Sequence, residues 1–394
     1  MDGGLRRGGP LATAHIDPVL VAQRQSWVRA GGVARGLIPP PTMAFRVVRG
    51  HVALRSRPMS RARDPSVVPL LTVVIPTRNR QEPLHRTVRL LEEQTLDPAT
   101  YEVLVVDDGS DRPISHANRT EGPMIRVVRL SHGERSAARN QGAREAKGQV
   151  LLFVDDDMLA SRSLLEAHAA AHAEWPGALA IGAIRLPDEV LATPYGRFRS
   201  ALETSALPPT RGPVAQPNFA AAANMSISRE RFLALGGFDT AFVSSEDQDL
   251  ALRHSAAGGT IVYLPEALAI HDDSAKDFRA YCRRTEWGAL NMAPFCRRHP
   301  DWPENRERQA VNGPISRRSD PPGRMLRKAG KLLLGQRPAL ALLLALIDRL
   351  EASAPASRIL ATLYRLALGI HLQRGFRRGW AGAASSPADE GAEA

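Results

Sequence analysis

Cysteine is almost missing from this chain of 394 residues, which has only Cys282 and Cys296. Two thiols cannot build a disulfide framework, and without a C-x-x-C pair they offer neither a zinc site nor a redox couple. Both are expected to be reduced thiols, in a cytoplasmic protein. Long apolar runs are missing too. The longest, residues 338–347, has about half of the roughly 20 residues that a membrane span needs. The N-terminus has no compact apolar stretch of the secretory type. No G-x-G-x-x-G follows an apolar run and no G-x-x-x-x-G-K-[ST] occurs, so dinucleotide oxidoreductases and P-loop enzymes lose their fingerprints. A nucleotidyltransferase would be expected to carry a Gly-rich basic loop after its first strand, and residues 76–79 (Pro-Thr-Arg-Asn) are not that loop.

Charge is plentiful but uneven. The formal net charge of +11 divides into +9 over residues 1–63, which hold eleven Arg, +10 over 314–380, −3 over 381–394 and −5 over 64–313. A mildly acidic centre between two basic arms argues against a nucleic-acid groove in the core. Residues 1–66 are rich in Arg, Gly, Ala and Pro without a sustained period, so a basic, disordered leader is expected there. Four segments follow: the leader at 1–66, a catalytic domain at 67–300, a basic helical region at 301–380 and an acidic tail at 381–394.

From Pro69 onward the texture changes. Residues 70–75, 101–106, 125–130 and 150–154 read as buried strands, and 82–94 and 136–147 have helical spacing, the latter ended by Gly148. Strands alternating with helices predict an α/β fold, a mostly parallel sheet covered by helices on both faces. Ligands in such sheets bind beyond the carboxyl ends of the strands, where these runs deposit polar residues. The first run ends in Pro76, Thr77, Arg78 and Asn79. The second ends in Asp107, Asp108, Gly109 and Ser110, acceptors suited to a nucleobase imide or ribose hydroxyls.

The run 150–154 ends in Asp155, Asp156 and Asp157. Adjacent carboxylates repel one another unless a cation or water neutralises them. Asp155 and Asp157 suit a hard divalent ion that also holds a diphosphate, with Asp156 facing another way. Arg135 and Arg139 stand at a helix start, where the dipole does not favour cations, and a bound anion would explain them. Residues 224–228 lead into a helix, and a second helix starts at Glu246, Asp247 and Asp249. Some of these acids fit a capping role, and Glu246 or Asp247 is placed to act as a general base. Residues 260–264 read as a strand, and His271 follows in a short polar segment where it could complete an Asp-rich metal site. His168 and His172 stand one turn apart, as zinc ligands do, but without the Glu of H-E-x-x-H or a third ligand nearby.

Six runs in this order, at 72–79, 105–110, 138–142, 153–157, 236–239 and 246–250, resemble the family 2 glycosyltransferases of the GT-A fold over about 220 residues. The resemblance implies that Pro76, Thr77, Asn79 and Asp108 line a nucleotide pocket. Asp155 and Asp157 become the D-x-D pair that holds Mn²⁺ or Mg²⁺, with His271 as a further ligand. Asp247 becomes the base and Glu246 helps to position the acceptor, while either Arg135 or Arg139 contacts the diphosphate. The implied activity is inverting transfer from a nucleotide-diphosphate sugar to a glycan or lipid-linked hydroxyl, in cell-envelope or polysaccharide biosynthesis. A non-catalytic sugar-binding relative is the competing reading, and the presence of Asp155, Asp157 and Asp247 weighs against it. The Q-x-x-R-W motif of processive membrane synthases is absent. In the C-terminal arm, Leu-rich stretches at 325–334, 339–350 and 359–372 alternate with Arg and Lys. They fit either a helical subdomain on the core or a basic surface attached to the inner face of the membrane.

Overall fold

The computed structural model describes residues 68–115, 122–205, 207–215, 219–273, 276–355 and 358–382. The basic leader and all but two residues of the acidic tail lie outside them. Among the described residues nine strands form one sheet: β1 (Leu71–Thr77), β2 (Tyr101–Asp107), β3 (Met124–Arg129), β4 (Val150–Val154), β5 (Met158–Ala160), β6 (Leu179–Arg185), β7 (Gly212–Val214), β8 (Asn224–Ser228) and β9 (Ile261–His271). Their order is β3-β2-β1-β4-β8-β6-β9-β5, with β7 also paired to β9. The first four run parallel, and β6 is parallel to β9, while β8, β5 and β7 pair antiparallel. The architecture is α/β, as expected. Residues 224–228 are themselves a strand, and the Ser228 hydroxyl accepts a hydrogen bond from the Arg231 amide to cap the short helix that follows.

Alternation along the buried strands sorts side chains to two faces. Val74, Leu104, Val106, Leu151 and Phe153 share one hydrophobic cluster with residues of α2 (Glu134–Glu145), α6 (Arg229–Ala234) and α7 (Glu246–Ala256). Val73, Ile75, Val103, Val105 and Leu152 share the opposite one with α1 (Gln81–Glu92) and α3 (Leu164–Glu174). Helices therefore cover both faces.

A third cluster is helical. It joins α4 (Asp188–Leu191), α5 (Pro194–Thr204), α8 (Phe278–Asn291) and α9 (Ala293–Arg298) to α12 (Arg337–Ser353) and α13 (Arg358–Trp380). This core runs across residue 300 without a break. Two further helices, α10 (Pro303–Asn312) and α11 (Pro322–Leu334), complete the arm. The pairing of α13 with α8 depends on glycine: a Cβ at Gly375 would lie 2.0 Å from the Glu286 carbonyl oxygen, and one at Gly379 would lie 1.9 Å from that of Leu290. No side chain fits there without separating the helices. Gly379→Ala is expected to destabilise the fold by about 1–3 kcal/mol, the usual cost of overpacking, and to lower the thermal midpoint by several degrees. An unchanged melting curve would show that the two helices are not held this closely.

His168 and His172 are structural. The Asn224 amide donates to the carbonyls of Ala183 and Ala267, which turns its Oδ1 to His168 Nε2 at 2.9 Å. His168 therefore donates from Nε2, and its Nδ1 accepts from the Ser226 hydroxyl at 2.7 Å. The same oxygen accepts from His172 Nε2 at 2.8 Å. Every group in the chain is used with both rings neutral, and burial pushes both imidazoles down to about 4. Below about pH 6.5 the unfolded chain takes up protons that the folded one refuses, so stability falls as pH drops from there toward 4. The slope approaches about 1.4 kcal/mol per unit for each histidine. Denaturant midpoints measured between pH 7 and 4.5 check this. A flat profile would mean that the pair is charged or exposed.

Candidate active site

The carboxyl ends of β1, β2 and β4 meet at one edge of the sheet, and the chain bends sharply around them. Asn79, Glu134 and Ser245 are the three non-glycine residues with positive φ among those described, at 54°, 69° and 72°. They stand just beyond β1 and at the starts of α2 and α7. Such backbone conformations cost about 1 kcal/mol or more for most residues and cluster where geometry serves a site. Asn79 is held by exchange with Asp111: its Oδ1 accepts from the Asp111 amide at 2.8 Å and its Nδ2 donates to the carboxylate at 3.2 Å. Asp108 is buried, with one oxygen on the Gly133 amide and the other on His132 Nδ1, both at 2.8 Å. Arg78 donates to the far nitrogen of that ring at 2.8 Å, which fixes Nδ1–H toward Asp108.

The three aspartates after β4 diverge. Asp156 turns back into the protein, where its carboxylate accepts from the Thr77 hydroxyl at 2.7 Å and pairs with Arg80 at 2.9 Å. Its backbone carbonyl accepts from Thr87. Burial outweighs Arg80 and Thr77 there and raises the Asp156 carboxyl to about 7. Asp157 is buried and ionised: burial opposes its charge, but His271 and Arg80 hold it well below the usual carboxylate range. Asp155, against the pull of burial, is lowered chiefly by Arg139.

His271 is the last residue of β9 rather than part of a polar segment after a shorter strand. Its neighbour β5 pairs Met158 with His271, and this register delivers the imidazole to the aspartates. Nε2 lies 3.2 Å from Asp157 Oδ1. That oxygen is buried yet accepts no hydrogen bond of good geometry. One ligand atom from each of Asp155, Asp157 and His271 fits within 4.8 Å of the other two. A buried carboxylate oxygen short of donors, a second carboxylate and an imidazole nitrogen form a donor set suited to Mn²⁺ or Mg²⁺, with the nitrogen favouring the former.

Arg139 ties this group to α7. It is 2% exposed, and its two terminal nitrogens reach Asp155 at 2.6 Å and Glu246 at 2.8 Å. The guanidinium sits over the Phe238 ring. The anions that Arg139 meets are the protein's own carboxylates, which also draw in the charge of Asp247. Arg135, one turn earlier, is exposed and acts on Asp155 only through its charge. Asp247 is half-buried in the first turn of α7, where its Oδ2 accepts from the Ala222 amide at 3.3 Å. Asp249 has a clamping role: it holds Arg253 at 2.7 Å and His299 at 2.8 Å, joining α7 to α9. Pro76 is buried within β1.

Several participants carry no motif signal. Arg80 bridges Asp156 and Asp157, and its position directly after Pro76–Asn79 was the available hint. Asp273 lies 3.6 Å from His271 Nδ1 and is itself gripped by Arg199 and Arg284, from α5 and α8. Nothing in the local sequence points from residue 199 to residue 273.

The matched family model is that of glycosyl transferase family 2, over residues 72–216, a span that includes β1, β2, β4 and the three aspartates. Among curated proteins it is similar to a validoxylamine A glucosyltransferase of Streptomyces hygroscopicus subsp. limoneus, at 31% identity over 269 residues, 60% of this chain and 58% of that one. It is also similar to a pre-mycofactocin glycosyltransferase of Mycobacterium tuberculosis, at 30% identity, covering 59% of this chain and 48% of the relative. The chain thus spans about half to three-fifths of these relatives. Among solved structures it resembles a mannosyltransferase of Pyrobaculum calidifontis in complex with GDP-Man and Mn²⁺, with a TM-score of 0.51 and 19% identity over 81% of this chain and 90% of that one. At that identity the likeness is one of fold. Glu246 and His271 lie beyond the matched residues 72–216, and their link to the aspartates within that span is geometric, through Arg139 to Asp155 and directly to Asp157.

Proposed function

We propose that this chain transfers a sugar from a nucleotide-diphosphate donor to a hydroxyl acceptor with inversion at the anomeric carbon, aided by a divalent ion. The observation that carries the reading is the meeting of Asp155, Asp157 and His271 within 4.8 Å at the carboxyl edge of the sheet. Asp155, Asp157 and His271 would hold the ion. When bound, a divalent ion there neutralises charge on the departing nucleoside diphosphate. Asp108 and the bend at Asn79, on the neighbouring strand ends, are placed to receive the nucleoside. Exposed Arg135 offers the diphosphate a charge-assisted partner, whereas Arg139 is occupied by Asp155 and Glu246. Glu246 accordingly fixes the orientation of α7 rather than meeting the acceptor alone, and Asp247 takes the acceptor proton. A glycan or lipid-linked acceptor and a place in envelope polysaccharide synthesis accord with this reading. The mannosyltransferase complex with GDP-Man and Mn²⁺ supports the donor class and the ion.

The test is nucleoside-diphosphate release from a panel of nucleotide sugars, with Mn²⁺, Mg²⁺ or EDTA. Slow metal-dependent hydrolysis of one donor supports the reading and names the donor. Absence of both binding and turnover for every donor would favour a non-catalytic sugar-binding relative.

A further inference from the structure

Ten large apolar side chains are exposed among the described residues, and five of them lie on two consecutive helices. Leu326 (75%), Leu333 (71%) and Leu334 are on α11, and Leu342 (73%) and Leu346 are on α12. The opposite sides of these helices are already used. Lys328 is buried against Asp320 and the Pro314 carbonyl, and Leu340 and Ile347 are buried on the inner side of α12. The exposed leucines are therefore a second apolar face, turned away from the core.

Charge says what covers it. Residues 321–347 contain Arg324, Arg327, Lys328, Lys331 and Arg337 and no Asp or Glu. Arg327 and Arg337 are exposed beside Leu326, Leu333 and Leu334. No single described helix is long and apolar enough to cross a membrane, and α11 and α12 meet at a bend of 88°. An apolar patch whose charges over residues 321–347 are all cationic, the acids of α12 following only at Asp348 and Glu351, has the chemistry of an element that lies in the headgroup layer of an anionic bilayer, with leucines in the acyl boundary and guanidinium groups on phosphates. A second copy of this chain would bring the same cations face to face and be repelled.

We propose that the outer face of α11 and α12 is a docking surface for an anionic lipid bilayer. The proposal does not rest on the transferase reading. The test is flotation of the full chain with vesicles of phosphatidylcholine alone or with about one third phosphatidylglycerol, at low and high salt. Residues 1–63 hold eleven Arg and can themselves attract anionic vesicles, so the variants decide. The triple change Leu326→Gln, Leu333→Gln, Leu342→Gln alters exposed positions only and is expected to leave the melting curve and donor hydrolysis without vesicles unchanged. Vesicle affinity is expected to fall about tenfold or more in that variant. The pair Arg327→Glu, Arg337→Glu is expected to weaken binding to anionic vesicles and to flatten its salt dependence. Native chain that fails to float at low salt, or a triple variant that floats as well as the native chain, would overturn the proposal. So would a native dimer, made monomeric by the leucine changes, that does not bind vesicles.

Discussion

Asp157→Asn is expected to lower donor turnover by about 10²–10³-fold, with a matching loss of Mn²⁺ affinity. The substitution keeps the shape of the side chain but removes the charge that His271 and Arg80 now compensate at 3.2 and 2.9 Å. An alanine would be the poorer test, because it also removes the oxygen that accepts from Arg80 and leaves a cavity, which costs stability on its own account. The measurement is nucleoside-diphosphate release over a Mn²⁺ titration, with metal affinity determined separately by calorimetry. A variant with native turnover, insensitive to EDTA, would dispose of the ion site altogether. A variant that loses metal affinity while keeping turnover would leave the site structural.

The second large effect belongs to Asp247. Asp247→Asn is expected to reduce kcat by about 10²–10⁴-fold, the usual contribution of a positioned general base, with donor KM and metal affinity close to native. The expectation follows from where the residue stands. Glu246 is committed to Arg139, and Asp249 to Arg253 and His299. Asp247 lies between them in the first turn of α7, half-buried, and its carboxylate accepts from the backbone amides of Ala222 at 3.3 Å and Gln248 at 2.8 Å. Comparing kcat and KM separately distinguishes it from Glu246→Gln, which should disturb Arg139 and, through it, Asp155. If Asp247→Asn retains native kcat while Glu246→Gln abolishes it, the roles are reversed.

Much of this was readable from local pattern. The parallel half of the sheet and its helices lay in runs of buried β-branched residues closed by polar ends, a signal that needs only neighbours along the chain. The D-x-D pair, the acidic start of α7 and the polar strand ends were legible for the same reason. The limit showed at His271, read as lying in a polar segment, because its strand is held by pairing with β6 and β5 and not by its own pattern. It showed again at Arg139. A cation at a helix start suggested a bound anion, and the partners turned out to be Asp155 and Glu246, the latter 107 residues away. His168 and His172 had the spacing of metal ligands, and only the arrival of Asn224 and Ser226 on β8 made them a neutral, fully bonded chain.

By itself, then, the sequence determined the α/β fold class, the edge of the sheet where the candidate site lies and the carboxylates that stand there, because strand periodicity, helix spacing and motif order are properties of nearby residues. Tertiary structure alone decided which charges face each other: Arg80 on Asp156 and Asp157, Arg139 between Asp155 and Glu246, Asp273 behind His271. It also decided which leucines of the C-terminal arm pack inward and which stay outside. Both depend on distances between segments far apart in the chain, set by sheet register and helix packing, and those distances fix whether a buried charge is paired or an apolar face is covered.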